Sequence, residues 1–114
     1  MPFIQKGETR GLAITAAQRS PLYPDLPTVA ETVPGYESFT WHMVLAPAGT
    51  PPGIVRRLNA AINAVVADPR HNRTLQSQGM DVVTDSTPES SGAFLRAEIA
   101  KWEAVIQRAG IKAT

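Results

Sequence analysis

The run Trp41-His42-Met43-Val44-Leu45-Ala46-Pro47-Ala48-Gly49-Thr50-Pro51-Pro52 constrains the fold of this chain more than any other. It reads as an aromatic and aliphatic strand, a small proline-rich turn, and the start of a helix. From Tyr36 to Leu45 the residues alternate, and Phe39, Trp41, Met43 and Leu45 form the more apolar set. Alternation of this kind directs one set of side chains to a core, so these four are expected to face it. Thr50 is placed to cap the helix that opens at Pro51, because a hydroxyl there can accept an otherwise orphaned N–H.

Three helices are expected after this strand, each opening on the same chemistry. Thr50-Pro51, Asp68-Pro69 and Thr87-Pro88 pair an oxygen-bearing side chain with a proline whose missing N–H costs nothing in the first turn. Ile54, Leu58, Ile62 and Val65 make an apolar stripe of helical period on the first. The second is short and basic and ends at Gly79. The third carries Leu95, Ile99, Trp102 and Ile106, has Glu89 in its first turn, and stops at Gly110. Trp102 is expected in the core. Upstream, Phe3 to Lys6 reads as the tail of a helix stopped by Gly7, and Gly11 to Ala16 as a short buried strand. Gln18 to Pro27 reads as a loop, Thr28 to Thr32 as one helical turn, and Pro34-Gly35 as a turn.

Strand-to-helix connections imply an open α/β sheet. Two strands and three helices cannot complete one, since such sheets have four or more strands and bury both faces. The chain is therefore expected to be one partial domain over 1–114. Its strands fall within 10–46 and its helical part within 50–110, and association with another copy or domain swapping would complete it. At 114 residues it is long enough for a single core. Eleven basic and ten acidic residues are interspersed, which leaves no electrostatic footprint for nucleic acid. With no cysteine, disulfides and thiolate metal sites are excluded. The N-terminus has no basic stretch followed by an apolar run, so no signal peptide is expected there.

Gly7-Glu-Thr-Arg-Gly-Leu-Ala-Ile-Thr15, Arg19-Ser-Pro21, Pro24-Asp-Leu-Pro-Thr-Val-Ala-Glu31, Pro34-Gly-Tyr-Glu37, Trp41 and Ala46-Pro-Ala-Gly-Thr-Pro51 occur in a characteristic order. Leu58-Asn-Ala-Ala-Ile-Asn63, Gly79, Thr87-Pro-Glu89 and Glu98-Ile-Ala-Lys-Trp102 continue it. This ordered set resembles the Bug family, the extracytoplasmic solute-binding receptors of tripartite tricarboxylate transporters. The resemblance runs along the whole chain but corresponds only to the C-terminal third of such a receptor. It implies an incomplete lobe of a two-lobed, type II periplasmic-binding-protein-like fold, with few strands and C-terminal helices. It also implies a periplasmic location, a small carboxylate ligand bound weakly in the absence of the other segments, membrane components of the transporter as partners, and no cofactor. Met43 stands where the family usually has glycine.

The candidate ligand-binding residues are Trp41, His42 and Thr28. Trp41 can wall a cleft, although its place in the apolar set favours packing. His42 can donate to a carboxylate, although a solvated strand histidine is the plainer reading. Asp25 and Glu31 have no base or nucleophile at a recognisable spacing, so Glu31 is expected to tie its turn to a neighbour. Asn59 and Asn63, one helical turn apart, are expected to bond a nearby loop. His71 is expected on the surface, and it and His42 have no third ligand at metal spacing. Arg56, Arg57, Arg70 and Arg73 are read as a solvated basic face. No enzyme motif is present. Besides a receptor segment, the sequence admits a free-standing, homo-oligomeric interaction module without ligand binding.

Overall fold

The computed structural model describes residues 2–112. The described residues form four α-helices: α1 (Pro2–Gln5), α2 (Pro52–Ala67), α3 (Pro69–Ser77) and α4 (Pro88–Ala109). A 3-10 turn spans Val29–Glu31. None of the described helices is long and apolar enough to cross a membrane.

The helix boundaries follow the local chemistry. Asp68 accepts from the N–H groups of Arg70 and His71 at the start of α3. Thr87 opens α4 with a reciprocal capping box: its hydroxyl accepts from Ser90 N at 3.0 Å, and Ser90 Oγ accepts from Thr87 N at 2.9 Å. Gly110 closes α4 at φ 64, a left-handed conformation in which a Cβ would be strained. Gly7, Gly35 and Gly79 also have positive φ at the expected stops and turn.

Thr50 is a correction. Its hydroxyl donates to the carbonyl of Pro47 at 2.8 Å and closes the turn through Gly49, so it does not cap α2. Ile54 N bonds to Pro51 O instead. The helix begins at Pro52, which puts Pro51, with no polar side chain, at the capping position and Thr50 one residue too early to cap.

The expected strands are the larger correction. Among the described residues none forms a strand, and the α/β reading gives way to a mostly helical chain. What remains of Gly11 to Ala16 is an isolated parallel bridge between Ile14 and Thr28, made by Ile14 N to Pro27 O and Val29 N to Ile14 O, each 2.9 Å. On the next residue Thr15 O accepts from Ser38 N at 2.9 Å. Neighbouring residues of an extended run direct their polar groups to opposite edges, so the 11–16 run lies between the other two segments. Residues 39–45 continue without ladder structure. An extended segment satisfies its backbone only through neighbours on either side, and the pairing here stops after one bridge. With no ladder to fix the pleat, the expected core set splits: Trp41 and Met43 are half-buried, whereas Phe39 and Leu45 are exposed.

The chain divides into two compact units. The first comprises Met1–Val44 and Val65–Val83, the second Leu45–Ala64 and Thr84–Thr114. Within the first, Gly11 sits so close to its neighbours that a Cβ there would lie 3.0 Å from Leu26 Cδ2 and 3.3 Å from Ile4 Cδ1. Ser20 Oγ donates to Asp81 Oδ1 across 61 residues of sequence. Within the second, Asn59 and Asn63 both donate to the carbonyl of Ser86 at 2.7 Å, and Ser86 Oγ returns a bond to Asn63 Oδ1 at 2.9 Å. The pair of asparagines thus bonds the loop immediately before α4, as the sequence suggested.

No apolar side chain among the described residues is fully buried; the two buried residues are Thr28 and Glu98. Glu98 pairs with Lys101 and accepts from Trp102 Nε1 at 3.1 Å, and the Lys101 ammonium lies 5.7 Å from the Trp102 ring centroid. Trp102 itself is 40% exposed, not a core residue, because its indole lies along its own helix toward Glu98.

Asn63→Ala is expected to destabilise the chain by about 1–3 kcal/mol in urea denaturation, since it removes the acceptor of the Ser86 hydroxyl and one of the two donors to the Ser86 carbonyl. Asn59→Ala should cost about 1 kcal/mol, and the double variant less than the sum, because the two donors share one acceptor. Additive losses would show that the shared carbonyl does not couple them. Thr87→Ala should cost about 1 kcal/mol and lower helicity by circular dichroism.

Candidate functional site

Thr28 lies at the centre of a polar knot in the first unit. Thr-x-x-Glu is the sequence form of a capping box, and Thr28-Val-Ala-Glu31 forms one. Thr28 Oγ1 accepts from Glu31 N at 3.3 Å, and Thr28 N donates to Glu31 Oε1 at 2.9 Å. Arg19 then grips the same carboxylate in a fork, Nε to Oε1 and Nη2 to Oε2, both at 2.8 Å. Its remaining terminal nitrogen, Nη1, donates to Pro24 O at 3.2 Å. One guanidinium therefore closes the proline-rich loop onto the 3-10 turn. A bidentate arginine–carboxylate pair is the strongest geometry available to such groups.

The electrostatics follow from this geometry. The Arg19 fork, helped by the Thr28 N–H, lowers the Glu31 carboxyl from its ordinary 4.5 to about 2. The Glu31 carboxylate raises Arg19 in turn. Both side chains remain partly exposed, so the knot's value is geometric: it fixes Thr28, and through the Ile14 bridge it fixes the 11–16 run. The sequence expectation that Glu31 ties its turn to a neighbour holds. Its partner Arg19 was not foreseen, although Arg19-Ser-Pro stood out as a motif and Thr-x-x-Glu carried the box.

The other two candidates belong to a different segment of the same unit. Trp41 is half-buried and His42 exposed, three and four residues beyond the Ser38 bond to Thr15. Thr28 is 3% exposed, with its hydroxyl oxygen accepting within the box. His71 is exposed at the start of α3, where its Nδ1 lies 3.3 Å from Asp68 Oδ1. Asp68 is lowered, chiefly by the Arg70 N–H and next by that of His71. Among the described residues, no group of three or more His, Cys, Asp or Glu side chains is placed to hold a metal ion.

The profile of the tripartite tricarboxylate transporter family receptor matches residues 1–111. The chain belongs to this receptor family. Protein BugT of Bordetella pertussis is 36% identical over 112 residues, covering 96% of this chain and 33% of its own. A protein encoded in the tcbD-tcbE intergenic region of a Pseudomonas species is 37% identical over 99 residues, covering 85% of this chain and 29% of its own. The solved structure of the periplasmic binding protein BugD superposes with a TM-score of 0.80 at 31% identity, over 99% of this chain and 38% of that one. The chain thus spans about a third of the length of the receptors it matches. The resemblance seen in the sequence motifs is the relationship found here.

The knot makes the acid limb of stability predictable. A carboxyl lowered by folding contributes stability that is complete above its unfolded value near 4.5 and lost as pH falls toward about 2. Glu31→Gln should flatten the melting temperature over that window and leave neutral-pH helicity intact. Arg19→Lys, which keeps the charge but not the fork, should move the Glu31 carboxyl part of the way back, read by its carbon chemical shift. An unchanged acid limb in Glu31→Gln would show that other carboxyls set it.

Proposed function

We propose that this chain is the C-terminal part of a periplasmic solute-binding receptor that captures small carboxylates for a tripartite tricarboxylate transporter. The reading rests above all on the family profile's match from residue 1 to 111, with the BugD likeness in support. Its work is binding without covalent chemistry. The ligand is held as two lobes close, and membrane components of the transporter read the closed form.

In this reading residues 10–46 lie near the hinge and residues 50–110 supply scaffold helices. Trp41 gives an apolar wall and His42 a donor for a carboxylate oxygen. Thr28 keeps a hydroxyl hydrogen to donate even while its oxygen accepts within the box. The Arg19–Glu31 knot holds that position rigid. Since the chain spans about a third of its relatives' length, it contributes part of a cleft and binds weakly by itself.

The test joins this chain to the complementary two-thirds of a BugT-like receptor and screens mono-, di- and tricarboxylates by thermal shift. A carboxylate is expected to raise the melting temperature with concentration. Trp41→Ala and His42→Ala should each weaken that ligand about tenfold, while the chain alone gives a small shift or none. A cooperatively melting hybrid that ignores every carboxylate would overturn the reading.

A further inference from the structure

The 19–31 loop is stitched by two side chains that are neighbours in sequence. Arg19 closes it on itself: its Nε and Nη2 each reach the Glu31 carboxylate at 2.8 Å, and its Nη1 reaches Pro24 O at 3.2 Å. Ser20 ties the loop outward. Its Oγ accepts from Leu22 N at 3.2 Å and donates at 3.1 Å to Asp81 Oδ1, on the link that follows α3 in the same unit. Main-chain bonds from Tyr23 N to Ser20 O and from Leu26 N to Tyr23 O fold the segment between. All of these bonds join residues of this chain, so no other segment of a receptor is needed to form them.

Thr28 is the residue this stitching holds. It is 3% exposed. Its N–H donates to Glu31 Oε1, and the groups on either side, Pro27 O and Val29 N, pair with Ile14. Its Oγ1 accepts from Glu31 N at 3.3 Å, which confines the hydroxyl hydrogen to the remaining directions. A donor fixed in this way before a ligand arrives has little further freedom to lose on binding, and affinity gains by that difference. Each of the three Arg19 nitrogens already has an acceptor, so the guanidinium serves the loop and not a ligand. With the Glu31 carboxyl lowered to about 2, the fork persists through neutral and mildly acidic solution.

We infer that Arg19 and Asp81 are positioning residues for the ligand contact at Thr28, Arg19 acting through the Glu31 carboxylate and Asp81 through Ser20. The inference rests on the receptor reading above, in which Thr28 donates to the ligand. It adds a division of labour. A ligand carboxylate meets a neutral hydroxyl at this point, and the two charged groups are spent on holding that hydroxyl in place. Arg19 is needed for its fork and Asp81 for its acceptor oxygen, neither for net charge.

The test titrates the hybrid receptor with acetate, succinate and citrate, and follows amide hydrogen exchange in this chain alone. Arg19→Lys, which keeps the charge but not the fork, and Asp81→Ala should each weaken the bound carboxylate about fivefold. Both should speed exchange at Thr28 and Glu31 by a similar factor and leave the α4 amides as they are. Asp81→Asn keeps the acceptor and should restore what Asp81→Ala loses. In a Thr28→Val background, Arg19→Lys should cost no further affinity, an outcome that a general loss of folding would not give. Unchanged affinity or unchanged Thr28 exchange in Arg19→Lys and Asp81→Ala, or losses that add to that of Thr28→Val, would overturn the inference and leave the receptor reading in place. A cooperatively melting hybrid that binds no carboxylate would overturn both.

Discussion

Every backbone N–H and C=O must find a partner, and the two kinds of regular structure meet that demand in opposite ways. A helix pairs its groups along its own length. A strand depends entirely on what lies beside it. This asymmetry decides which elements stand here. α2, α3 and α4 form as their sequences direct. The apolar runs 11–16 and 36–45 stay extended but unladdered: Ile14 bridges to Thr28, and Thr15 O accepts from Ser38 N. The BugD likeness, at a TM-score of 0.80, covers 99% of this chain and 38% of that periplasmic binding protein.

With no fully buried apolar side chain among the described residues, polar ties carry more of the architecture than is usual. Two of them concentrate several bonds on one group. The Glu31 carboxylate gathers Arg19 and Thr28, and the Ser86 carbonyl gathers Asn59 and Asn63. Such hubs fix geometry better than they supply free energy, since an exposed ion pair is worth little and hydrogen bonds exchange with water.

The sequence was most legible where local chemistry decides the outcome. Asp68-Pro69 and Thr87-Pro88 announced helix starts, Gly79 and Gly110 their stops, and Asn59 and Asn63 their bond to a loop. Motif order disclosed the receptor family, which the profile match bears out. It failed where the outcome depends on partners distant in sequence. Alternation in Tyr36–Leu45 is a statement about a sheet, and no ladder forms there. The period of α4 placed Trp102 in a core, but the indole bonds Glu98 four residues back. Thr50 closes the turn before α2 instead of capping it, because the helix begins one residue later than the proline pair suggests. Arg19 as the partner of Glu31, twelve residues away, had a motif but no local rule to connect them.

The bonds at Ser86 have a mechanical consequence. Two donors from α2 converge on one carbonyl oxygen, and that oxygen belongs to the residue just before the cap of α4. A constraint focused on a point forbids sliding but says little about inclination. α4 is therefore held against sliding at its first turn, while its inclination is set by the face that runs through Ser91, Phe94, Glu98 and Lys101.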